Sequence, residues 1–98
     1  MVKTEIANRT FQWDENKARK NLHKHGISFE QAALVFEDEN RTDDYDLKHS
    51  EEEDRWKTIG IVNDVLTVVY TERGEDIRLI SAWVADENDR RRYYEDKL

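Results

Sequence analysis

Residues 56–84 read WKTIGIVNDVLTVVYTERGEDIRLISAWV, and the periodicity of this stretch decides the fold. Apolar and polar residues alternate through Trp56–Val62, Val65–Glu72 and Ile77–Val84, the pattern of half-buried strands. Asn63-Asp64 is a two-residue hairpin turn, and Gly74-Glu75-Asp76 a three-residue loop with a glycine. A tight two-residue turn pairs Ile61 with Leu66 and Ile59 with Val68. The second loop pairs Val68 with Ala82 and Tyr70 with Ile80. One sheet face then carries Ile59, Ile61, Leu66, Val68, Tyr70, Ile80, Ala82 and Val84, a consistent core face. The other carries Trp56, Thr58, Thr67, Val69, Thr71, Arg73, Ser81 and Trp83, and is mixed enough to be a working surface.

Helices flank this three-stranded unit. Phe11-Gln12-Trp13 reads as a short strand. Asp14 is placed to cap a helix over Glu15–His25, and Gly26 follows as the residue that ends it. Ser28 with Gln31 three residues on forms a capping box for a second helix. In it Phe29, Ala32, Ala33 and Phe36 recur at i, i+3, i+4 and i+7, one apolar stripe. Asp86 is placed to cap a last helix from Glu87 to about Lys97, with Glu87 and Asp89 in its first turn and Lys97 in its last. The prediction is one α+β domain over 1–98: an antiparallel sheet, two N-terminal helices and a C-terminal helix, with helices mainly on one side.

Composition bounds the function. Charged residues make up 40% of the 98 and apolar residues 37%, so the core is small. There is no cysteine, which removes disulfides and thiolate metal sites. No apolar leader or bilayer-length stretch is present, and a cytoplasmic protein without membrane contact is expected. The net charge of −7 counts against a general nucleic-acid coat, which needs a basic surface. It leaves room for an enzyme that grips one or two phosphates locally, and it suits a basic partner.

Several runs align in a specific order: Phe11-Gln12-Trp13-Asp14, Lys17, Asn21, Lys24-His25-Gly26-Ile27-Ser28-Phe29, Ala32-Ala33, Val35-Phe36 and Asp38. His49-Ser50, Glu53, Arg55, Ile59-Gly60, Val69-Tyr70-Thr71-Glu72-Arg73-Gly74, Ile77-Arg78 and Ile80-Ser81-Ala82 follow, and an arginine-rich segment runs to Tyr94-Glu95. Across nearly the whole chain this order resembles the BrnT family of type II toxins. The resemblance implies a RelE-like fold and a ribonuclease that stops translation. It also implies neutralisation by a BrnA-type ribbon-helix-helix antitoxin, with operator DNA reached only through that antitoxin and a possible dimer within the complex. One position departs from the pattern. The family runs Ile-Ser-Ala-Arg, and here Trp83 stands where the arginine would be.

Metal-free RNA cleavage needs a base for the ribose 2′-hydroxyl, an acid for the leaving 5′-oxygen and cations for the charge that develops on phosphorus. Histidine suits the proton transfers and arginine the phosphate. With the resemblance, these needs select Lys24, His25, His49, Glu53, Arg55 and Arg73; no cofactor or metal is expected. His25 is either an acid–base group or a cation facing its helix dipole. His49 lies among Glu51, Glu52 and Glu53, and is either oriented by a carboxylate or simply exposed. Glu53 is either a base or a partner of Arg55. Arg73, beside Gly74, is the best placed to stabilise the transition state.

Other cations carry weaker readings. Lys17, Lys20 and Lys24 form a basic helix stripe that is either solvated or RNA-facing. Arg78 falls on the core-face parity as an ion-pair partner or RNA contact. Arg90, Arg91 and Arg92 with Tyr93 and Tyr94 are read as RNA or antitoxin contacts or as packing. Trp56 and Trp83 share the open face as base-stacking groups or, given the negative charge, as interface anchors. Two functions follow: an endoribonuclease toxin, or a catalytically weak or inactive relative that binds a ribbon-helix-helix antitoxin. Trp83 and the net charge favour the second, the remaining matched residues the first.

Overall fold

The computed structural model describes residues 1–95; Lys97, expected in the last helix turn, lies outside the described residues. Six strands form one sheet: β1 (Val2–Ile6), β2 (Arg9–Trp13), β3 (Thr42–Tyr45), β4 (Trp56–Val62), β5 (Asp64–Arg73) and β6 (Asp76–Val84), in the order β1-β2-β6-β5-β4-β3. Three helices accompany it: α1 (Glu15–His25), α2 (Phe29–Ala33) and α3 (Glu87–Glu95). Short 3₁₀ turns occupy Leu34–Glu37 and Leu47–His49. The fold is α+β, as read from the sequence. The sheet is mixed, because β2 runs parallel to β6 through Phe11↔Ile77 and Gln12↔Arg78, while every other pairing is antiparallel.

The helix ends follow their capping chemistry. The Asp14 side chain accepts from Lys17 N at 3.0 Å, and Ser28 Oγ accepts from Gln31 N at 3.0 Å. Asp86 caps α3 through Asp89 N at 2.8 Å. Gly26 closes α1 at φ 71°, the left-handed region where a Cβ would be strained.

Both hairpin registers differ from the two-residue expectation. In the first, Val62 faces Asp64 with Asn63 alone between them at φ 63°, so Ile61 pairs with Val65 and Thr58 with Val68. This one-residue slip turns all of β4 over. Gly60, not Ile59 or Ile61, meets the helical layer, and a Cβ there would lie 2.9 Å from Val35 Cγ1. Ile59 is fully buried on the opposite face, and Ile61 is exposed. In the second hairpin Val68 pairs with Ala82 as expected. A register shift at Val69/Tyr70 then brings Leu79, not Ile80, opposite Tyr70. Leu79 is buried and Ile80 only half-buried. The same bulge moves Arg78 off the core-face parity to sit opposite Thr71.

Two cores result. Phe11, Trp13, Phe29, Val35, Phe36, Leu66, Val68, Tyr70 and Leu79 belong to the main cluster, under α1, α2 and the turn after it. Ile59, Val65, Ala85 and Tyr93 form a smaller one on the other face, under α3. Helices therefore cover both faces, and the face expected to be open is not: Thr67, Val69 and Thr71 are all buried. Asp89 anchors α3 there, accepting from Thr67 Oγ1 at 2.8 Å and from Lys57 Nζ at 3.0 Å.

β2 pairs only with the first residues of β6, so the far half of β6 has no strand on the edge away from β5, and a side chain of α1 takes that place. Asn21, 6% exposed, donates to Ala82 O at 2.8 Å and accepts from Ala82 N at 3.0 Å. Its amide thus completes a strand edge that would otherwise leave two backbone groups unpaired.

Candidate functional site

The segment between β3 and β4 folds back on itself. Asp46 N donates to Arg55 O at 2.8 Å, and Ser50 Oγ donates to Asp46 O at 2.6 Å while accepting from Arg55 N at 2.9 Å. Thr71 of β5 donates to Asp54 O at 2.6 Å and ties this loop to the sheet. The closure gathers four of the six selected residues. Arg73 Nη2 lies 2.8 Å from Glu53 Oε2, and Arg55 Nη2 lies 3.7 Å from Glu53 Oε1. His49 and Lys48 share with Glu51, Glu52, Glu53 and Arg55 a small cleft of about 270 Å³.

His49 is oriented. Its Nδ1 lies 2.8 Å from Asp46 Oδ2, which leaves Nε2 as the ring nitrogen not engaged by that carboxylate. Sequence proximity sets Glu51 to Glu53 beside His49 and passes over Asp46, whose i,i+3 spacing from His49 is the signal for this pair. Glu53 hydrogen-bonds Arg73 and forms a longer ion pair with Arg55, so the base and salt-bridge readings meet in one carboxylate. Arg55 Nε is buried without a hydrogen-bond partner, an unused donor beside the cleft. Arg78 shares its face with Thr71 and Arg73 and donates to Met1 Sδ at 3.5 Å.

Lys24 and His25 stand elsewhere. His25 packs on Trp83 with ring centroids 6.0 Å apart. Trp83 pairs with Thr67, six residues along β5 from Arg73, so the two groups are about 20 Å apart along the strand. Trp83 and Trp56 do not share a face, because the slip in β4 puts Trp56 with the main core and against Tyr45. Arg90 is paired with Asp64, Arg91 with Glu87 and Arg92 with Asp44. Tyr93 is buried and donates to Asp38. Burial, with that hydrogen bond, pushes its hydroxyl up to about 12.

A second cleft, about 530 Å³, was not foreseen. It is lined by Arg9, Phe36, Arg41, Asp43 and Tyr70 with an acidic rim that includes Glu72 and Glu75. Arg41 lies over the Phe36 ring at 4.7 Å and pairs with Asp43 at 3.4 Å. Tyr70 donates to Asp43 at 2.7 Å, and burial followed by that bond raises its hydroxyl above the ordinary range. These groups satisfy one another and bind the 3₁₀ turn to the sheet. Among the described residues no three His, Asp or Glu side chains converge to hold a metal ion. No helix there is long and apolar enough to cross a membrane.

The comparisons agree with this architecture. The crystal structure of the Brucella abortus ribonuclease toxin BrnT superposes with a TM-score of 0.58 at 24% identity, over 76% of this chain and 94% of that one. At that identity the likeness shows the fold alone. No curated protein sequence matches significantly. The family described as "Ribonuclease toxin, BrnT, of type II toxin-antitoxin system" matches residues 13–89, from the end of β2 into α3. With a match over most of its length, the chain belongs to the BrnT family of ribonuclease toxins.

Proposed function

We propose that this BrnT-family toxin cleaves RNA without a metal at the cluster of His49, Glu53, Arg55 and Arg73, and so arrests translation. The observation that carries the reading is the convergence of two guanidiniums on one carboxylate beside an oriented histidine. A carboxylate held between two arginines marks a place where an RNA phosphate can sit, since the guanidinium fork fits both. The phosphate takes over the arginines and the spare Arg55 Nε donor, and Glu53 is released to accept the 2′-hydroxyl proton. The 2′-oxygen attacks phosphorus, and the bond to the 5′-oxygen breaks. His49, steadied by Asp46, gives that oxygen its proton. The products are a 2′,3′-cyclic phosphate and a free 5′-hydroxyl. Arg55 and Arg73 stabilise the charge that builds on the phosphoryl oxygens. Lys24 and His25 stand too far off to share in these steps.

Membership of a type II system implies an antitoxin partner. We take it to be a BrnA-type ribbon-helix-helix protein that reaches operator DNA on the toxin's behalf, in a complex that holds two toxin copies. A second reading, a binding module with weak or no cleavage, is favoured by one observation. Trp83 replaces the arginine of the family pattern and packs on His25 instead of presenting a cation.

The test is incubation of the purified chain with an RNA oligonucleotide and with its all-2′-deoxy counterpart, in chelator. Cleavage of the RNA alone, leaving cyclic phosphate ends, is expected. Intact RNA at high protein concentration, with no growth arrest on induced expression, leaves the binding-module reading.

A further inference from the structure

We propose that the exposed flank of α1, together with Trp83, is a second contact for single-stranded RNA, remote from the cleavage cluster; it rests on the reading of RNA as substrate. The chain carries −7 overall, yet within α1 four cations, Lys17, Arg19, Lys20 and Lys24, face one acid, Glu15. Most cations elsewhere are held by acids, as Lys3 is by Asp76, Lys57 by Asp89 and Arg90 by Asp64; among the described residues Arg9, Lys48 and Arg78 are scattered exceptions that form no stripe. Among the described residues no ion pair engages Lys17, Lys20 or Lys24, and all three are exposed. At i, i+3 and i+7 they lie on one helix face and span about 10 Å.

Which flank this is follows from the helix period. Asn21 is buried against β6, and Ala18 and His25 are half-buried on the same side. Glu15, Ala18, Arg19 and Leu22 border the cleft shared with Val2, Trp13 and Phe29, the flank toward β1 and α2. The lysine stripe occupies the opposite flank. At its C-terminal end His25 meets Trp83, both half-exposed, with ring planes tilted by 44°. Unpaired cations leading to an aromatic face are the two components of sequence-tolerant single-strand binding: phosphate contacts and base stacking. About 20 Å separates this surface from Arg73, so one strand held at both places must be several nucleotides long.

The experiment uses the full chain with His49→Ala to prevent cleavage, and a labelled RNA longer than ~16 nucleotides, the upper site size of a compact single-strand binder. Affinity is read by anisotropy across a salt series. Replacing Lys17, Lys20 and Lys24 by alanine is expected to flatten the slope of log K against log salt by about 2, the change for three lost single-strand phosphate contacts. Trp83→Ala is expected to weaken binding about 10-fold or more while leaving the slope in place. With His49 restored, Lys17→Ala/Lys20→Ala is expected to raise KM for the long RNA and leave a dinucleotide's cleavage unchanged. Unaltered slope and affinity in a folded triple variant overturn the proposal, whether or not the parent cleaves. So does intact RNA binding with lost antitoxin binding, which assigns the flank to the protein partner. Failure of the parent to cleave any RNA overturns the ribonuclease reading separately.

Discussion

Arg73 at the end of β5 donates through Nη2 to Glu53 Oε2 across 2.8 Å, joining the sheet to the loop that carries His49. Arg73 is 44% exposed and Glu53 30%, so the pair stabilises the fold by only about 0.2–1 kcal/mol. In the proposed mechanism its weight is functional. Arg73→Ala is expected to lower kcat/KM on RNA about 100- to 1,000-fold, the cost of removing one transition-state donor. The melting temperature should move little. Glu53→Gln should also lose cleavage, yet bind an uncleavable 2′-deoxy strand more tightly, because its arginines are then free. Wild-type rates in Arg73→Ala sink the assignment.

His49 and Asp46 form an ordered pair, and their variants should separate. His49→Ala is expected to cost about 100- to 10,000-fold in kcat, the range for a general acid. Asp46→Asn leaves the imidazole in place without its orienting charge, so a smaller loss and an altered pH–rate profile are expected. Equal losses with unchanged profiles would reduce Asp46 to a loop closer.

Asn21 tests the seam between α1 and β6. Asn21→Ala leaves Ala82 N and O without partners in a buried setting. Each unsatisfied group costs about 1–3 kcal/mol. For a domain of this size 1 kcal/mol shifts the melting temperature by roughly 4–8 °C. Calorimetry should therefore show a fall of about 10 °C or more. A shift of a degree or two would mean that water replaces the amide.

Tyr93 gives a pH signature. Its hydroxyl is raised from 10.0 to about 12, chiefly by burial and then by the bond to Asp38. A raised acid of this kind contributes stability that is fully present below pH 10 and lost as pH climbs through 12. Tyr93→Phe is expected to lower stability by about 1–3 kcal/mol near neutrality. Urea titrations should show that gap constant up to pH 10 and closing between pH 10 and 12. A gap that widens with pH would contradict the buried neutral hydroxyl.

The helices were legible because their ends carry local chemistry: Asp14, Ser28 and Asp86 cap where their side chains allow. The three long strands were legible from alternation. β1 and β3 were not, since VKTEI and TDDY are short, largely polar edge strands that draw their structure from neighbours. Register was misread for a tertiary reason: Gly60 must face Val35, and nothing near the turn announces that. The bulge that puts Leu79 into the core in place of Ile80 is equally silent. Of the site, the residue types were readable, but their grouping depends on how the loop 46–55 closes. That closure brings Glu53 to Arg73 and His49 into one cleft with Glu53 and Arg55, while His25 stays with Trp83.

The parallel pairing of Phe11 with Ile77 bears on when this molecule can exist at all during its synthesis. The contact joins residues 66 positions apart, and α1 meets its strand edge at Ala82 and Trp83, later still. β1, β2, α1 and α2 emerge first from the ribosome with aromatic residues and no sheet to bury them against. Long-range pairings of this sort fold slowly, because the loop entropy is spent before the contacts form. The sheet cannot close, and no competent molecule can form, until β6 has been made. The interval leaves time for a partner to meet the chain while its apolar side is still uncovered.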